Sequence, residues 1–352
     1  MTDVYTVRLE PVGVEFEVEE GETVLNAAFR QGISLPHGCK EGQCSACKCN
    51  LLEGDVEMMK YSTFALSDGE KEQGGILLCR TIAYSDMEVE LLNFDEELLS
   101  KSIAVKEYKG QITSVERLTH DIRTLEIILS APMKFWAGQY ADITVATKTG
   151  ETITRSFSMA NTPEQTERLQ FIIKKYPEGR FSGELDGGGI DVGAEVTVRG
   201  PFGSCFRRED REGALILVAA GSGMSPIWSI LRDHIASGET RPVHFFYGAR
   251  TQADLFYLDR IRELTEEHGE VTFHPVLSHA NDDGTWSGER GFVHEVVKAK
   301  LNELGIAGEG DVYACGPPPM IDALSPVLFM QDFDPDRIYF DRFTPSTGSS
   351  AH

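Results

Sequence analysis

Apolar and polar positions change rhythm twice along this chain. From Tyr5 to about Leu98, short runs such as Tyr5-Thr-Val-Arg-Leu and Phe16-Glu-Val-Glu alternate apolar with polar side chains around one predicted helix, Thr23 to Gln31. A period of two sends successive side chains to opposite faces, so these runs read as half-buried strands. A loop dense in cysteine and glycine follows, and Glu96 to Lys101 reads as a linker. From about Lys106 to Arg208 the pattern predicts six strands: Gly110 to Val115, Ile122 to Leu129, Tyr140 to Val145, Ile153 to Met159, Leu169 to Lys174 and Glu195 to Arg199. Turn residues separate them at intervals of roughly ten residues, the spacing of a small β-barrel or sandwich. From Gly213 onward, continuous apolar strands alternate with amphipathic helices. The strands are Ala214 to Ala220, Val243 to Tyr247, Val271 to Val276, Asp311 to Ala314 and Arg337 to Phe340. The helices are Ile227 to Ala236, Asp254 to His268, Val293 to Leu304 and Met320 to Met330. Such alternation predicts a parallel sheet covered on both faces, with ligands at the carboxyl ends of its strands.

Composition adds exclusions. The chain has 352 residues and a net charge of -23, which argues against nucleic-acid binding, where clustered Lys and Arg are needed. Residues 1–100 hold 7 Lys and Arg against 20 Asp and Glu. That excess reads either as a solvated surface or as a docking face for a basic patch on a partner. Met1 to Glu10 lacks the basic and apolar regions of a signal peptide, and no apolar run approaches the ~20 residues that span a bilayer. A cytoplasmic protein without membrane contact is expected, with disorder only in the tail, Pro345 to His352. Seven cysteines in such a chain argue against a disulfide framework. Five of them fall between Cys39 and Cys79, leaving Cys205 and Cys315 alone.

Cys39, Cys44, Cys47 and Cys79 have the spacing C-x4-C-x2-C…C, the plant-type pattern for a [2Fe-2S] cluster. Three thiolates on one tight loop wrap the cluster and the fourth arrives from a separate strand. Gly38, Gly42, Ser45 and Ala46 are small enough to let backbone amides approach its sulfides. A zinc ribbon would need a second C-x2-C pair, and a Rieske centre would need two histidine ligands where only His37 is near. Cys49 reads as a core residue. Further along, Arg155-Ser156-Phe157-Ser158 ends a strand and Gly179-Arg180-Phe181-Ser182-Gly183 follows. An arginine with free amides can hold a pyrophosphate, an aromatic can stack on a flat ring, and a hydroxyl can bond a ring nitrogen. In the α/β region, Gly221-Ser222-Gly223-Met224-Ser225-Pro226 closes the first strand and opens a helix, so a diphosphate can approach the backbone at a helix N-terminus. Pro226 suits the first helical position. This departs from G-x-G-x-x-G, since Pro226 holds the third glycine position. Cys315-Gly316-Pro317-Pro318-Pro319-Met320 forms a rigid wall beside a flat ligand, unless Cys315 is only a small buried hydrophobe.

With these signals in this order, the chain resembles the ferredoxin-NADP reductase superfamily with an N-terminal plant-type ferredoxin domain. Within it, the chain looks most like the NADH-dependent reductase components of soluble di-iron monooxygenases, such as those for phenol, methane and propane. The resemblance implies a multidomain α+β fold: a β-grasp-like [2Fe-2S] ferredoxin domain over 1–98, a six-stranded antiparallel β-barrel FAD domain over 104–208, and an α/β parallel-sheet NAD domain over 213–352. It implies Arg155 on the FAD pyrophosphate, Phe157 on the flavin, where the family prefers tyrosine, and Ser158 near N5, with Ser156, Ile172, Lys174, Gly179, Arg180 and Ser182 around them. Gly221, Ser222, Gly223, Met224, Gly316, Pro317 and Met320 would form the nicotinamide site, with Cys315 near the reactive carbon. Phe343 would shield the flavin until nicotinamide displaces it. Ser158, Cys315 and Phe343 thus take the catalytic roles, and Cys39, Cys44, Cys47 and Cys79 the metal. NADH is the implied donor, although Arg250 could reach a 2′-phosphate.

NADH delivers two electrons as hydride, FAD divides the pair, and the cluster carries single electrons outward. The expected acceptor is a di-iron hydroxylase met through the acidic ferredoxin domain by a monomeric reductase. Two alternatives are a reductase for a Rieske-type aromatic ring-hydroxylating dioxygenase and, more distantly, a zinc-stabilised nucleotide-binding adaptor without catalysis. Ser62 to Asp68 and Leu78-Cys79-Arg80-Thr81 look closer to the di-iron group.

Overall fold

The computed structural model describes residues 3–92, 94–281 and 284–343. The predicted disorder of Pro345 to His352 lies outside them. Contacts group the chain into two compact units, one made of Met1–Lys106 with Gly200–Ser204, the other of Glu107–Arg199 with Cys205–His352.

The first unit runs β1 (Val4–Glu10), β2 (Val14–Glu19), α1 (Val24–Arg30), β3 (Lys48–Glu53), β4 (Val56–Met58), α2 (Asp68–Glu72), β5 (Gly75–Leu77), β6 (Thr81–Ala83), β7 (Met87–Leu91) and α3 (Glu96–Ser100). Its main sheet has the order β2-β1-β7-β3-β5, and β4 pairs with β6 alone. The alternation in β1 and β2 buries Val7, Leu9, Phe16 and Val18 while their polar neighbours face water. Thr23 caps α1 by accepting from the Asn26 N–H at 3.4 Å, which starts the helix where the pattern predicts. Glu96 to Lys101 departs from its reading as a linker. Asp95 caps it as α3, accepting from the Leu98 N–H at 3.0 Å, and Leu98 is buried.

The second unit holds two layers. β8 (Lys106–Arg117), β9 (Ile122–Leu129), β10 (Tyr140–Ala146), β11 (Thr152–Ser158), β12 (Arg168–Lys174), α4 (Arg180–Asp186) and β13 (Glu195–Phe202) come first. The six strands form an antiparallel half-barrel in the order β11-β10-β13-β8-β9-β12. The ends of its sheet meet at the bridge Met159–Phe171, which draws the expected antiparallel barrel together. Phe171, Phe181, Ile143, Leu125 and Ile127 fill its interior. The stretch read as the turn Gly179 to Gly183 begins α4.

β14 (Leu215–Ala220), α5 (Met224–Ser237), β15 (Val243–Ala249), α6 (Leu258–Glu267), β16 (Val271–Leu277), β17 (Glu289–Arg290), α7 (Val293–Leu304), β18 (Asp311–Gly316), α8 (Pro318–Phe329) and β19 (Ile338–Arg342) complete the chain. The sheet order is β17-β16-β15-β14-β18-β19, and among the described residues each neighbouring pair is parallel. Leu215, Leu217 and Ala219 pack toward Ile227, Trp228 and Ile230 of α5, while Ile216 and Val218 pack toward Val297 of α7 and Ile321 of α8. The apolar run of β14 is continuous because both of its faces are covered. Two predictions shift here. The helix expected from Asp254 starts later, at Leu258: Gln252 to Asp254 form a separate 3-10 turn, Leu255 is extended, and Tyr257, whose φ of 61° is left-handed, stands just before the helix. Pro226 stands third in α5; the first-turn N–H groups have no partner within the helix, so its missing N–H costs nothing there.

Candidate functional site

In the first unit, the loop between α1 and β3 carries Cys39, Cys44 and Cys47. Cys79 lies in the turn between β5 and β6 rather than on a strand. The four thiols stand in two pairs. Cys44 hydrogen-bonds Cys39, which is pushed down to about 5, while Cys44 is raised by keeping the shared proton. Cys79 likewise hydrogen-bonds Cys47, lowering Cys47 and raising itself. Two thiol pairs, each sharing a proton that a cation would displace, fit one iron per pair.

Backbone amides already serve the sulfurs. The N–H groups of Glu41 and Gln43 donate to Cys39 Sγ at 3.4 and 3.2 Å, that of Cys39 donates to Cys44 Sγ at 3.4 Å, and that of Gly42 donates to Cys79. Gly42 has a φ of +69°, and a Cβ there would lie 2.8 Å from both Arg80 and Tyr61 side chains, so only glycine fits this turn. Cys49 is a core residue whose thiol burial pushes up to about 12.

The second unit gathers most of the remaining predicted residues where the sheet's topology reverses. β14 lies between β15 and β18, and the turn after β14 meets the end of β18. A Cβ on Gly223 would lie 2.0 Å from the Cys315 carbonyl oxygen, so the turn and the strand end touch backbone to backbone. Gly221 has a φ of +57° and faces the Lys174 side chain across about 4 Å. Met320 folds against Gly316. The Phe343 N–H donates to the Gly316 carbonyl at 2.9 Å, which carries the end of β19 to the same place.

The half-barrel reaches this corner through β11. Phe157 packs at 4.9 Å on Phe181, and the next residue, Ser158, is buried and donates to Asp341 Oδ2 at 3.4 Å. Ser225 of α5 ties the layers together, donating to the Ser158 carbonyl at 2.7 Å and accepting from the Ile172 N–H at 3.2 Å. Ser225→Ala would strand a buried carbonyl and a buried N–H. Such groups cost about 1–3 kcal/mol when unsatisfied, so a lower denaturation midpoint is expected, and an unchanged one would contradict this linkage.

Other predicted residues have protein partners of their own. Arg155 donates to the Thr154 carbonyl at 2.7 Å and Ser156 to Asp142 at 2.5 Å. Arg180 pairs with Glu151. The Ser182 hydroxyl bonds the Gly179 carbonyl and the Tyr176 N–H, both at 3.4 Å, and a Cβ on Gly179 would collide with it. Ile172 is core. Lys174 pairs with Asp121 at 2.9 Å. Pro317 precedes α8, whose first two residues are prolines without N–H groups, so the glycine turn before α5 is the better anion site. Arg250 is exposed at the end of β15, beside a cavity of about 340 Å³ lined by Thr251, Gln252, His279, Asn281 and Trp286.

Cys315 is fully buried with its Sγ 4.0 Å from that of Cys205, and burial raises its thiol far above the usual range. Burial thus favours its neutral form, which is poor as a nucleophile. The residue that sequence reasoning missed is Asp341, opposite Cys315 in the β18–β19 register. Its signal was a lone carboxylate in the aromatic strand Tyr339-Phe340-Asp341-Arg342-Phe343.

Loss of water raises the Asp341 carboxyl to about 6, with the Ser158 hydroxyl pulling the other way. A carboxyl raised on folding is stabilising when protonated, so its contribution falls as pH climbs from about 4 to about 6. Asp341→Asn should therefore gain on the natural chain across that window and hold a constant lead above it. The lead is about 1–2 kcal/mol once discounted for the water that reaches this partly exposed residue. Denaturant unfolding at pH 4, 5, 6 and 7.5 measures it, and a lead that does not change with pH would refute the assignment.

The residues fit the groups their chemistry suggests: paired thiols with amide donors for an iron-sulfur cluster, an aromatic beside a hydroxyl and a carboxyl for a flavin, and a glycine turn at a strand reversal for a dinucleotide. Family models match three consecutive stretches: a 2Fe-2S iron-sulfur cluster binding domain over residues 7–84, an oxidoreductase FAD-binding domain over 109–206 and an oxidoreductase NAD-binding domain over 217–325. The chain is 44% identical to the reductase component of propane 2-monooxygenase from Rhodococcus jostii, covering 98% of this chain and 92% of that one. It is 37% identical to the reductase component of phenol 2-monooxygenase from a Pseudomonas species, covering 96% and 94%. Among solved structures, a cytochrome P450 reductase of Amycolatopsis matches with a TM-score of 0.86 at 28% identity, over 97% of this chain and all of that one.

Proposed function

The chain belongs to the reductase components of multicomponent monooxygenases, in which a [2Fe-2S] domain precedes FAD- and NAD-binding domains, and from that premise we propose a di-iron hydroxylase as its electron acceptor. It is an oxidoreductase that takes electrons from NADH through FAD to a [2Fe-2S] cluster. When bound, the flavin accepts a hydride's electron pair and the cluster passes the electrons on singly.

We assign three domains, 1–98, 104–208 and 213–352. Cys39 and Cys44 would hold one iron of the cluster, and Cys47 and Cys79 the other. Arg155, Phe157 and Ser158 serve the FAD, with Asp341 added as the partner of Ser158. Gly221 to Met224 receive the dinucleotide diphosphate, and Phe343 covers the flavin face. The protein acts as a cytoplasmic monomer that meets its hydroxylase through the ferredoxin domain. Among the described residues no helix is long and apolar enough to cross a membrane.

The pairing of the four thiols carries the redox part of this reading, and the propane and phenol relatives support the di-iron acceptor. The test is reconstitution. With NADH and the hydroxylase of a propane or phenol monooxygenase, the chain is expected to drive product formation, whereas the oxygenase of a Rieske dioxygenase should receive electrons poorly. Preference for the Rieske oxygenase would replace the acceptor proposed here.

A further inference from the structure

Acid is unevenly distributed in the first unit. Residues 40–80, which contain the loops around the cluster cysteines, carry 5 Lys and Arg against 7 Asp and Glu. The rest of the first hundred residues carry 2 against 13. The cations of this segment stand beside cluster ligands or the neighbouring loop. Lys40 follows Cys39 and sits over Phe202 at 3.6 Å, Lys48 follows Cys47 and pairs with Glu70 at 2.5 Å, and Arg80 follows Cys79 and donates to the Lys60 carbonyl at 2.9 Å. The stretch that carries the cysteines is therefore close to charge-balanced, and most of the domain's excess acid belongs to the other residues of the first hundred.

In that balanced stretch stands Phe64, 97% exposed. No other exposed large hydrophobic residue among those described is so open; Met59, on the same loop, is 43% exposed. Exposing a whole phenylalanine ring is unfavourable by about 1.5–3 kcal/mol against burying it, so a ring held out by its own loop points to something that covers it. The loop is firmly seated. Ala65 and Leu66, the two residues after Phe64, are fully buried, and their N–H groups both donate to the Ser62 carbonyl, at 2.9 and 3.3 Å. The Ser62 N–H donates to the Gly42 carbonyl at 2.8 Å, and the Gly42 N–H donates to Cys79. Phe64 is thus two residues and two hydrogen bonds from a cluster ligand.

We propose that Phe64 is the docking anchor through which the cluster delivers electrons, inserting into an apolar pocket on the hydroxylase at its point of electron entry. This rests on the functional reading above. Electron transfer falls steeply with distance, so the productive contact must lie by the cysteines, where Phe64 stands. Interfaces put their energy into a few desolvated aromatic anchors, and a near-neutral rim avoids burying unpaired charges. The remaining acid has a separate task. It speeds encounter with a partner that carries a basic patch away from that pocket, without entering the tight contact.

The experiment compares the FAD- and cluster-loaded natural protein with Phe64→Ala and Phe64→Tyr, using the propane monooxygenase hydroxylase as the probe and varying its concentration. Phe64→Ala is expected to raise the KM for hydroxylase about tenfold or more, with kcat changed far less and Phe64→Tyr close to the natural protein. NADH-to-ferricyanide activity and the stopped-flow rate of cluster reduction by NADH should be unaltered in both variants. A KM for Phe64→Ala within twofold of the natural value would overturn the proposal. So would an equal loss in the rate of cluster reduction, which would assign the ring to transfer inside the reductase. If the natural protein drove no turnover of this hydroxylase while reducing its own cluster normally, the functional reading itself would fall, and the anchor with it.

Discussion

Cys79→Ala is expected to leave NADH-to-ferricyanide activity near its natural level while transfer to cytochrome c or the hydroxylase drops by about 100-fold or more. Ferricyanide can take electrons directly from a flavin, whereas a protein acceptor depends on the cluster. Cys79 is the sole ligand outside the Cys39-to-Cys47 loop, and it shares its proton with Cys47 alone. Its loss removes one of the two ligands assigned to the second iron, and a cluster without a full set of thiolates is not retained. Cys49→Ala is the matched control. Cys49 is two residues from Cys47 yet buried in the core of β3, so removing its sulfur creates a small cavity and leaves electron transfer intact. Equal activities in all three proteins with both acceptors would break the proposed order of transfer.

Gly223→Ala should be the most damaging single methyl in the nicotinamide corner. Its Cβ would lie 2.0 Å from the Cys315 carbonyl oxygen, 2.4 Å from that carbonyl carbon and 2.8 Å from the Gly316 nitrogen. These are backbone atoms of a central strand and cannot rotate away. The start of α5 must move instead, and displacing a binding element by about 1 Å commonly costs about 100-fold in rate. The expected result is a fall of that order in kcat/KM for NADH with ferricyanide as acceptor, with FAD retained. Gly221→Ala gives the contrast. Its φ of +57° imposes strain of about 1–2 kcal/mol on any other residue, yet its nearest neighbour is 3.9 Å away, so the new methyl has room. A smaller loss is expected there. Near-natural kinetics for Gly223→Ala would mean that the diphosphate does not use this turn.

Much of this was legible in the sequence where one physical rule dominated. Ile122 to Leu129 matches β9 residue for residue because it is rich in apolar and β-branched residues along its length, and Val293 to Leu304 matches α7, whose Val293, Val296, Val297 and Leu301 form one buried face. The cluster loop was legible because thiolate spacing is a direct constraint of the inorganic core. Strands β3 to β7 were not read. They are three to six residues long, and their order in the sheet depends on pairings between residues distant in sequence, such as Val7 with Met87. The helix read from Asp254 starts at Leu258 instead, after an extended Leu255 and a left-handed Tyr257 that residue type does not advertise. Asp341 was missed for a related reason: only the β18–β19 register brings it opposite Cys315 and within reach of Ser158. Arg180 and Ser182 show the reverse case. Residue type and the family resemblance suggested a place in the FAD site, and in the fold each also has a local partner, Glu151 and the Gly179 carbonyl, that residue type does not reveal.

The central claim is that two thiol pairs hold a two-iron cluster that electrons from NADH reach. Iron and acid-labile sulfide analysis, combined with an anaerobic NADH titration followed by low-temperature EPR, tests it most directly. The account predicts about two irons and two sulfides per chain, with a signal from the reduced cluster that grows as NADH is added. One zinc per chain, no sulfide and no signal at any NADH concentration would contradict it.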